Sequence, residues 1–114
     1  MNYKLFPKLL TESEVSKQVI SLLKQAGWLV IRINSGAAKT GNRFISFYRI
    51  QNNGLSKGLT DIIAFKGKKY LLLELKKGTG GKLSDSQKEF IQLCESKGIQ
   101  VHVIKDVSQL EQII

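Results

Sequence analysis

The sequence is poor in the residues that staple or kink a chain. Among 114 residues there is one cysteine, one proline and one histidine. A lone Cys94 excludes an internal disulfide framework and a cysteine-rich zinc site, and it reads most simply as a small core residue. No apolar run approaches the ~20 residues that cross a bilayer. The opening residues, Met1-Asn2-Tyr3-Lys4-Leu5-Phe6-Pro7, lack the apolar stretch and small-residue cleavage site of a secretory signal, so a reducing cytoplasm is the expected compartment. Acidic residues are scarce too: nine Asp and Glu stand against eighteen Lys and Arg, a net charge of +9. A surplus of that size on a small chain points to a polyanionic partner, nucleic acid first and an acidic membrane surface second. The alternative, lysines that only keep the protein soluble, weakens if the basic residues gather around a few acids.

What is present is organised around residues 58–76. Gly58-Leu59-Thr60-Asp61 leads into Ile62-Ile63-Ala64-Phe65, a basic turn Lys66-Gly67-Lys68-Lys69, and then Tyr70-Leu71-Leu72-Leu73-Glu74-Leu75-Lys76. Two short β-prone runs around a glycine-containing turn predict a hairpin. Alternation along the second strand puts Tyr70, Leu72, Glu74 and Lys76 on one face and Leu71, Leu73 and Leu75 on the other. Folding alone does not call for a carboxylate and an ammonium at the end of so apolar a strand. Asp61, at the start of the neighbouring strand, is placed to join them. Two carboxylates and a lysine converging in this way make a candidate metal site beside a positive charge.

The rest of the chain supplies a frame. Residues 1–10 form a short mixed leader. Thr11 and Glu14 have capping-box spacing, and Val15, Val19, Leu22, Leu23 and Ala26 follow at helical intervals up to Gly27. Glu14 is explained by capping. Glu12 falls on the side of the apolar stripe, where it either sits in the favourable field of the helix start or faces the Asp61 and Glu74 cluster. Residues 28–34 read as a strand near the sheet centre, apolar on both faces until Arg32 and Asn34. Residues 35–42 read as a small-residue loop without the ending of a phosphate-binding P-loop, and residues 43–50 as a further strand. A polar turn region covers residues 51–57. The glycines of residues 77–82 suggest mobility. Ser84 and Gln87 repeat the capping-box spacing before Phe90, Ile91 and Cys94, with Gly98 as the stop. Capping suffices for Gln87, although its side also faces the cluster. Residues 101–104 predict a last strand with His102 pointing outward, and residues 107–114 a terminal helix. The order helix, four strands, helix, strand, helix predicts an α/β sandwich, one domain with a mixed sheet flanked by helices.

Phosphodiester hydrolysis needs an activated water, neutralisation of charge in the transition state and help for the leaving oxygen. Hard oxygen ligands select Mg²⁺ or Mn²⁺ for that work. A metal held by Asp61 and Glu74 would lower the pKa of a bound water, and Lys76 could orient or deprotonate it. Asp61 with Glu74-Leu75-Lys76 resembles the PD-(D/E)xK nuclease signature, with Thr60 standing where that superfamily often has proline. The ordered set is similar to the VRR-NUC family: an acid on the first helix (Glu12), Arg32-Ile33-Asn34-Ser35-Gly36, Gly58 to Asp61, Glu74 to Lys76, and Ser84-Asp85-Ser86-Gln87. Glu-x-Lys alone is common by chance; the ordered set with the right elements between its members is specific, and it covers the chain from Thr11 to about Ile104.

The resemblance implies a restriction-endonuclease-like fold. It implies Asp61, Glu74 and the carbonyl of Leu75 as metal ligands with Glu12 completing the acidic set, Lys76 as the catalytic lysine, and Gln87 in support. It further implies a stand-alone, phage-type enzyme related to resolvases that cut branched DNA, such as Holliday junctions or flaps, as homodimers. Arg32, Asn34, Lys39, Arg43, Arg49, Lys57 and Lys82 are the candidate DNA contacts, reading shape more than base sequence. The competing expectations are a nucleic-acid-binding module without turnover, disfavoured by the intact Asp61, Glu74 and Lys76, and a plain interaction domain with solvated charges.

Overall fold

The structure is a computed structural model and describes residues 10–33, 37–40, 43–46, 59–78 and 80–114. The leader, Asn34 to Gly36, Gly41-Asn42, the end of the strand expected over residues 43–50, the polar turn region, Gly58 and Thr79 lie outside the described residues. The elements run α1 (Glu12–Gln25), β1 (Leu29–Arg32), β2 (Ala37–Thr40), β3 (Arg43–Ser46), β4 (Ile62–Lys66), β5 (Lys69–Leu75), α2 (Asp85–Ser96), β6 (Val101–Ile104) and α3 (Val107–Glu111).

Local chemistry accounts for where the helices begin and end. Thr11 Oγ1 accepts the Glu14 N–H at 3.2 Å while Glu14 Oε1 accepts the Thr11 N–H at 3.3 Å, closing the expected box at the start of α1. At its end, Gly27 takes φ +86, which a Cβ would make strained, and the Lys66 ammonium donates to the Ala26 carbonyl at 2.6 Å. Ser84 and Gln87 close a second box on α2, with bonds of 2.8 and 3.1 Å.

β1, β4, β5 and β6 form one mixed sheet in that order, antiparallel except for the parallel pair β5 and β6. The expected hairpin is β4–β5, with Ile62 opposite Leu73 and Phe65 opposite Tyr70. Alternation then sorts the side chains. Ile62, Ala64, Leu71, Leu73, Leu75 and Ile104 pack with Val15, Val19 and Leu23 of α1 and Leu110 of α3 in one buried cluster. Burying each large aliphatic side chain there stabilises the fold by ~1.5–3 kcal/mol. The mixed sheet with helices is the α/β architecture that the element order predicts.

Three details differ from the sequence expectation. Among the described residues β1 is an edge strand of this sheet, with β4 as its neighbour. Its apolar character on both faces reflects an exposed apolar side, since Leu29 is 63% and Ile31 42% exposed. Within residues 35–42, taken as loop, Ala37–Thr40 is a strand paired with β3, Thr40 opposite Arg43. Two residues, Gly41-Asn42, separate the two strands in sequence, a spacing that signals a tight hairpin better than the small residues signal a loop. His102 does not point outward. It is half-buried beside Leu73 in register, and burial lowers its pKa.

Candidate active site

Asp61 stands just before β4, and Glu74 lies near the end of β5 on the face opposite the aliphatic cluster. The backbone ties Asp61 to its neighbours: its N–H donates to Leu73 O at 3.0 Å, and its own carbonyl accepts from Ile33 N at 2.7 Å. Its carboxylate reaches across the strand pair, with Oδ2 accepting the Leu75 N–H at 2.7 Å. Thr60, at the superfamily's proline position, is buried, and its hydroxyl has no hydrogen-bond partner among the described residues.

Glu74 is 1% exposed. Its Oε1 accepts from Gln87 Nε2 at 2.6 Å and lies 3.8 Å from Lys76 Nζ. Burial, then the charge of Asp61 and a hydrogen bond with its carboxyl, push the pKa of Glu74 up to about 8; the Lys76 ammonium offsets part of this. A buried carboxyl beside a second one favours either a retained proton or a cation between them. Lys76 is itself half-buried, and its N–H donates to Ile104 O at 3.0 Å, which anchors the strand end in the sheet.

Glu12 is brought to this end of the sheet because Gly78 N donates to Leu10 O at 3.2 Å, tying the segment before α1 to the segment after β5. The Glu12 charge contributes, as the last of the causes, to raising Glu74. Glu12 is exposed, so the inward-facing position expected for it is not what the helix gives; it bears on the site from the rim. Glu14 is held by its bonds to Thr11. Gln87 does two things at once. Its Oε1 closes the α2 cap while its Nε2 holds Glu74.

The hard oxygen donors that the structure brings together are the carboxylates of Asp61 and Glu74. Among the described residues no three His, Cys, Asp or Glu side chains gather into a cage. Two hard carboxylates suit Mg²⁺ or Mn²⁺, since Mg²⁺ is usually bound by one or two carboxylates and completes its shell with waters and substrate phosphate. The forced proximity of buried Glu74 to Asp61 is the observation that fits these residues to a divalent cation.

Of the candidate DNA contacts, Arg32 is exposed at the end of β1 and Lys82 is exposed on the loop before α2. Lys39 and Arg43 stand on β2 and β3. Asn34, Arg49 and Lys57 lie outside the described residues. Two contributors escaped the sequence reading. One is the Leu75 N–H, which orients Asp61. The other is Gly81, whose place a Cβ would fill at 3.0 Å from Lys76 Cβ and from Lys77 O. A glycine a few residues past a functional strand is a signal for close backbone approach as well as for mobility.

The sequence profile of the VRR-NUC domain matches residues 11–107. A solved structure titled "VRR_NUC domain" superposes with a TM-score of 0.64 at 17% identity, covering 91% of this chain and 95% of that one. No curated protein matches in sequence. Fold and profile agree over the residues that carry Asp61, Glu74, Lys76 and Gln87, and the chain belongs to the VRR-NUC family, a family of nuclease domains.

Proposed function

We propose that the protein is a Mg²⁺- or Mn²⁺-dependent endonuclease that hydrolyses phosphodiester bonds in branched DNA, acting as a homodimer in the cytoplasm. The observation that carries this reading is the buried Glu74 carboxyl beside Asp61, with the Lys76 ammonium 3.8 Å away. When bound, the divalent ion would lower the pKa of a water and polarise the scissile phosphate. Asp61, Glu74 and the Leu75 carbonyl would hold that ion, and Glu12 would add negative charge at the rim. Gln87 fixes the Glu74 carboxylate through its 2.6 Å hydrogen bond. Lys76 orients the attacking water and stabilises the charge that builds on the phosphoryl oxygens. The water oxygen bonds to phosphorus as the bond to the leaving sugar oxygen breaks; the water gives up a proton to solvent, and solvent returns one to the leaving oxygen.

Arg32, Asn34, Lys39, Arg43, Arg49, Lys57 and Lys82 contact phosphates, so shape dominates over sequence. Two active sites related by a two-fold axis suit a symmetric junction. The test is incubation of a labelled four-way junction, a flap and a linear duplex with Mg²⁺, Mn²⁺ or EDTA, comparing wild type with Glu74→Ala. Metal-dependent cutting, fastest on a branched substrate and lost in the variant, is the expected outcome. Tight binding without cutting under every condition would identify a binding module instead.

A further inference from the structure

We propose that the open part of the sheet face beside the active site is a stacking platform for an unpaired DNA strand. Only its relation to cleavage rests on the nuclease reading. Asp61, Ile63 and Phe65 alternate onto the same face as Glu74, Leu72 and Tyr70, with Phe65 directly opposite Tyr70 and Ile63 opposite Leu72. The Glu74 end of this face is met by α2 through Gln87. The other end is open: Phe65 is 42% and Tyr70 47% exposed, and Leu29, paired with Phe65, continues the row onto β1. A contiguous apolar row of that kind on a protein surface marks a binding site.

The chemistry around the row selects the occupant. Lys68, exposed in the Gly67-Lys68 turn, adjoins Phe65 and Tyr70 at this end of the row, whereas Lys69 opens β5 on the opposite face, where it lines a cleft of about 530 Å³ with Trp28 and Leu71. Aromatic rings beside a lysine turn fit a single strand, the rings taking base faces and the turn ammonium a phosphate. A second copy of this chain would set one lysine turn against another, on a molecule that already carries +9. Charge therefore favours a polyanion on this face. Phe65 and Tyr70 lie four residues along their strands from Asp61 and Glu74, about 13 Å at ~3.3 Å per residue. Stacked nucleotides cover that span in about four steps at ~3.4 Å each. An unpaired arm on the platform would thus lead to the carboxylates at its junction with the duplex.

The experiment is fluorescence anisotropy on the full chain in EDTA, with labelled oligothymidylate and a blunt duplex as probes. Because no cleavage is read, a protein without nuclease activity still answers. Tyr70→Ala should weaken oligothymidylate binding about 5- to 100-fold, Tyr70→Trp should retain it, and neither should change duplex binding appreciably. Tyr70 is half-exposed, so its truncation spares the core, and an unchanged melting temperature verifies that. Unchanged oligothymidylate affinity in both Tyr70→Ala and Phe65→Ala overturns the proposal, as does an equal loss on both probes. If Tyr70→Ala instead converts a dimer to a monomer by light scattering and leaves oligothymidylate affinity intact, the face belongs to a second copy and the proposal fails. Any of these failures leaves the cleavage reading of Asp61, Glu74 and Lys76 standing.

Discussion

Glu74 shows how a single burial sets the behaviour of the site. Exposed in an unfolded chain, its carboxyl titrates near 4.5; folded and metal-free, it titrates near 8. Between those values the native state holds a proton that the unfolded chain has released. The contribution of Glu74 to metal-free stability is therefore fully present below about pH 4.5 and is lost as pH rises through 8. In EDTA, urea unfolding should show wild type losing up to a few kcal/mol across that window relative to Glu74→Gln. The paired comparison cancels His102, whose lowered pKa acts with the opposite sign near its ordinary value of 6.5. Mg²⁺ should restore the loss at alkaline pH, because a cation that binds only the folded, ionised pair stabilises it. A Glu74→Gln variant that is less stable than wild type at high pH would mean that the carboxylate is better solvated than its burial implies.

At the level of elements, the two helix starts use the same device for different ends. Thr11 and Glu14 close a cap that faces solvent, whereas Ser84 shares its cap with the amide that holds Glu74. Ser84→Ala and Thr11→Ala should each cost about 1 kcal/mol in denaturant unfolding. Neither should change Mg²⁺ or Mn²⁺ binding by calorimetry, because Ser84→Ala keeps the backbone N–H that holds Gln87 Oε1; Gln87→Ala, which removes the donor to Glu74, should weaken it. An unchanged metal affinity in Gln87→Ala would show that Glu74 is placed without this hydrogen bond. Both boxes were legible in the sequence because capping is local, a matter of residues three apart. The second bond of Gln87 was not, since thirteen positions separate it from Glu74. The packing of Gly81 against Lys76 was hidden for the same kind of reason: a glycine's missing side chain says nothing of what approaches it.

For the whole molecule the net charge of +9 governs affinity for DNA. Binding measured in EDTA should fall steeply with salt, as counterions released from phosphates no longer favour the complex. Lys82→Ala should reduce the slope of log affinity against log salt by about one and weaken binding evenly across sequences. An unchanged slope would remove Lys82 from the DNA surface. The sheet order also belongs to this scale. Among the described residues β1 stands at an edge where its composition predicted the centre, because apolar residues on both faces do not distinguish a covered strand from one with an exposed apolar side.

The amino-acid sequence by itself determined the hairpin of β4 and β5, the two capped helices, the face shared by Tyr70, Leu72 and Glu74, and the family set from Glu12 to Gln87. All of these depend on alternation, capping or ordered spacing, which act between residues near one another along the chain. Only the tertiary structure decided that Glu74 is buried against Asp61, that Gln87 rather than Glu12 touches it, and that Phe65 and Tyr70 stay open beside the lysine turn. Burial, and with it the protonation of a carboxylate, is set by everything that packs around a residue. That surrounding comes from segments far apart in sequence, and no local pattern encodes it.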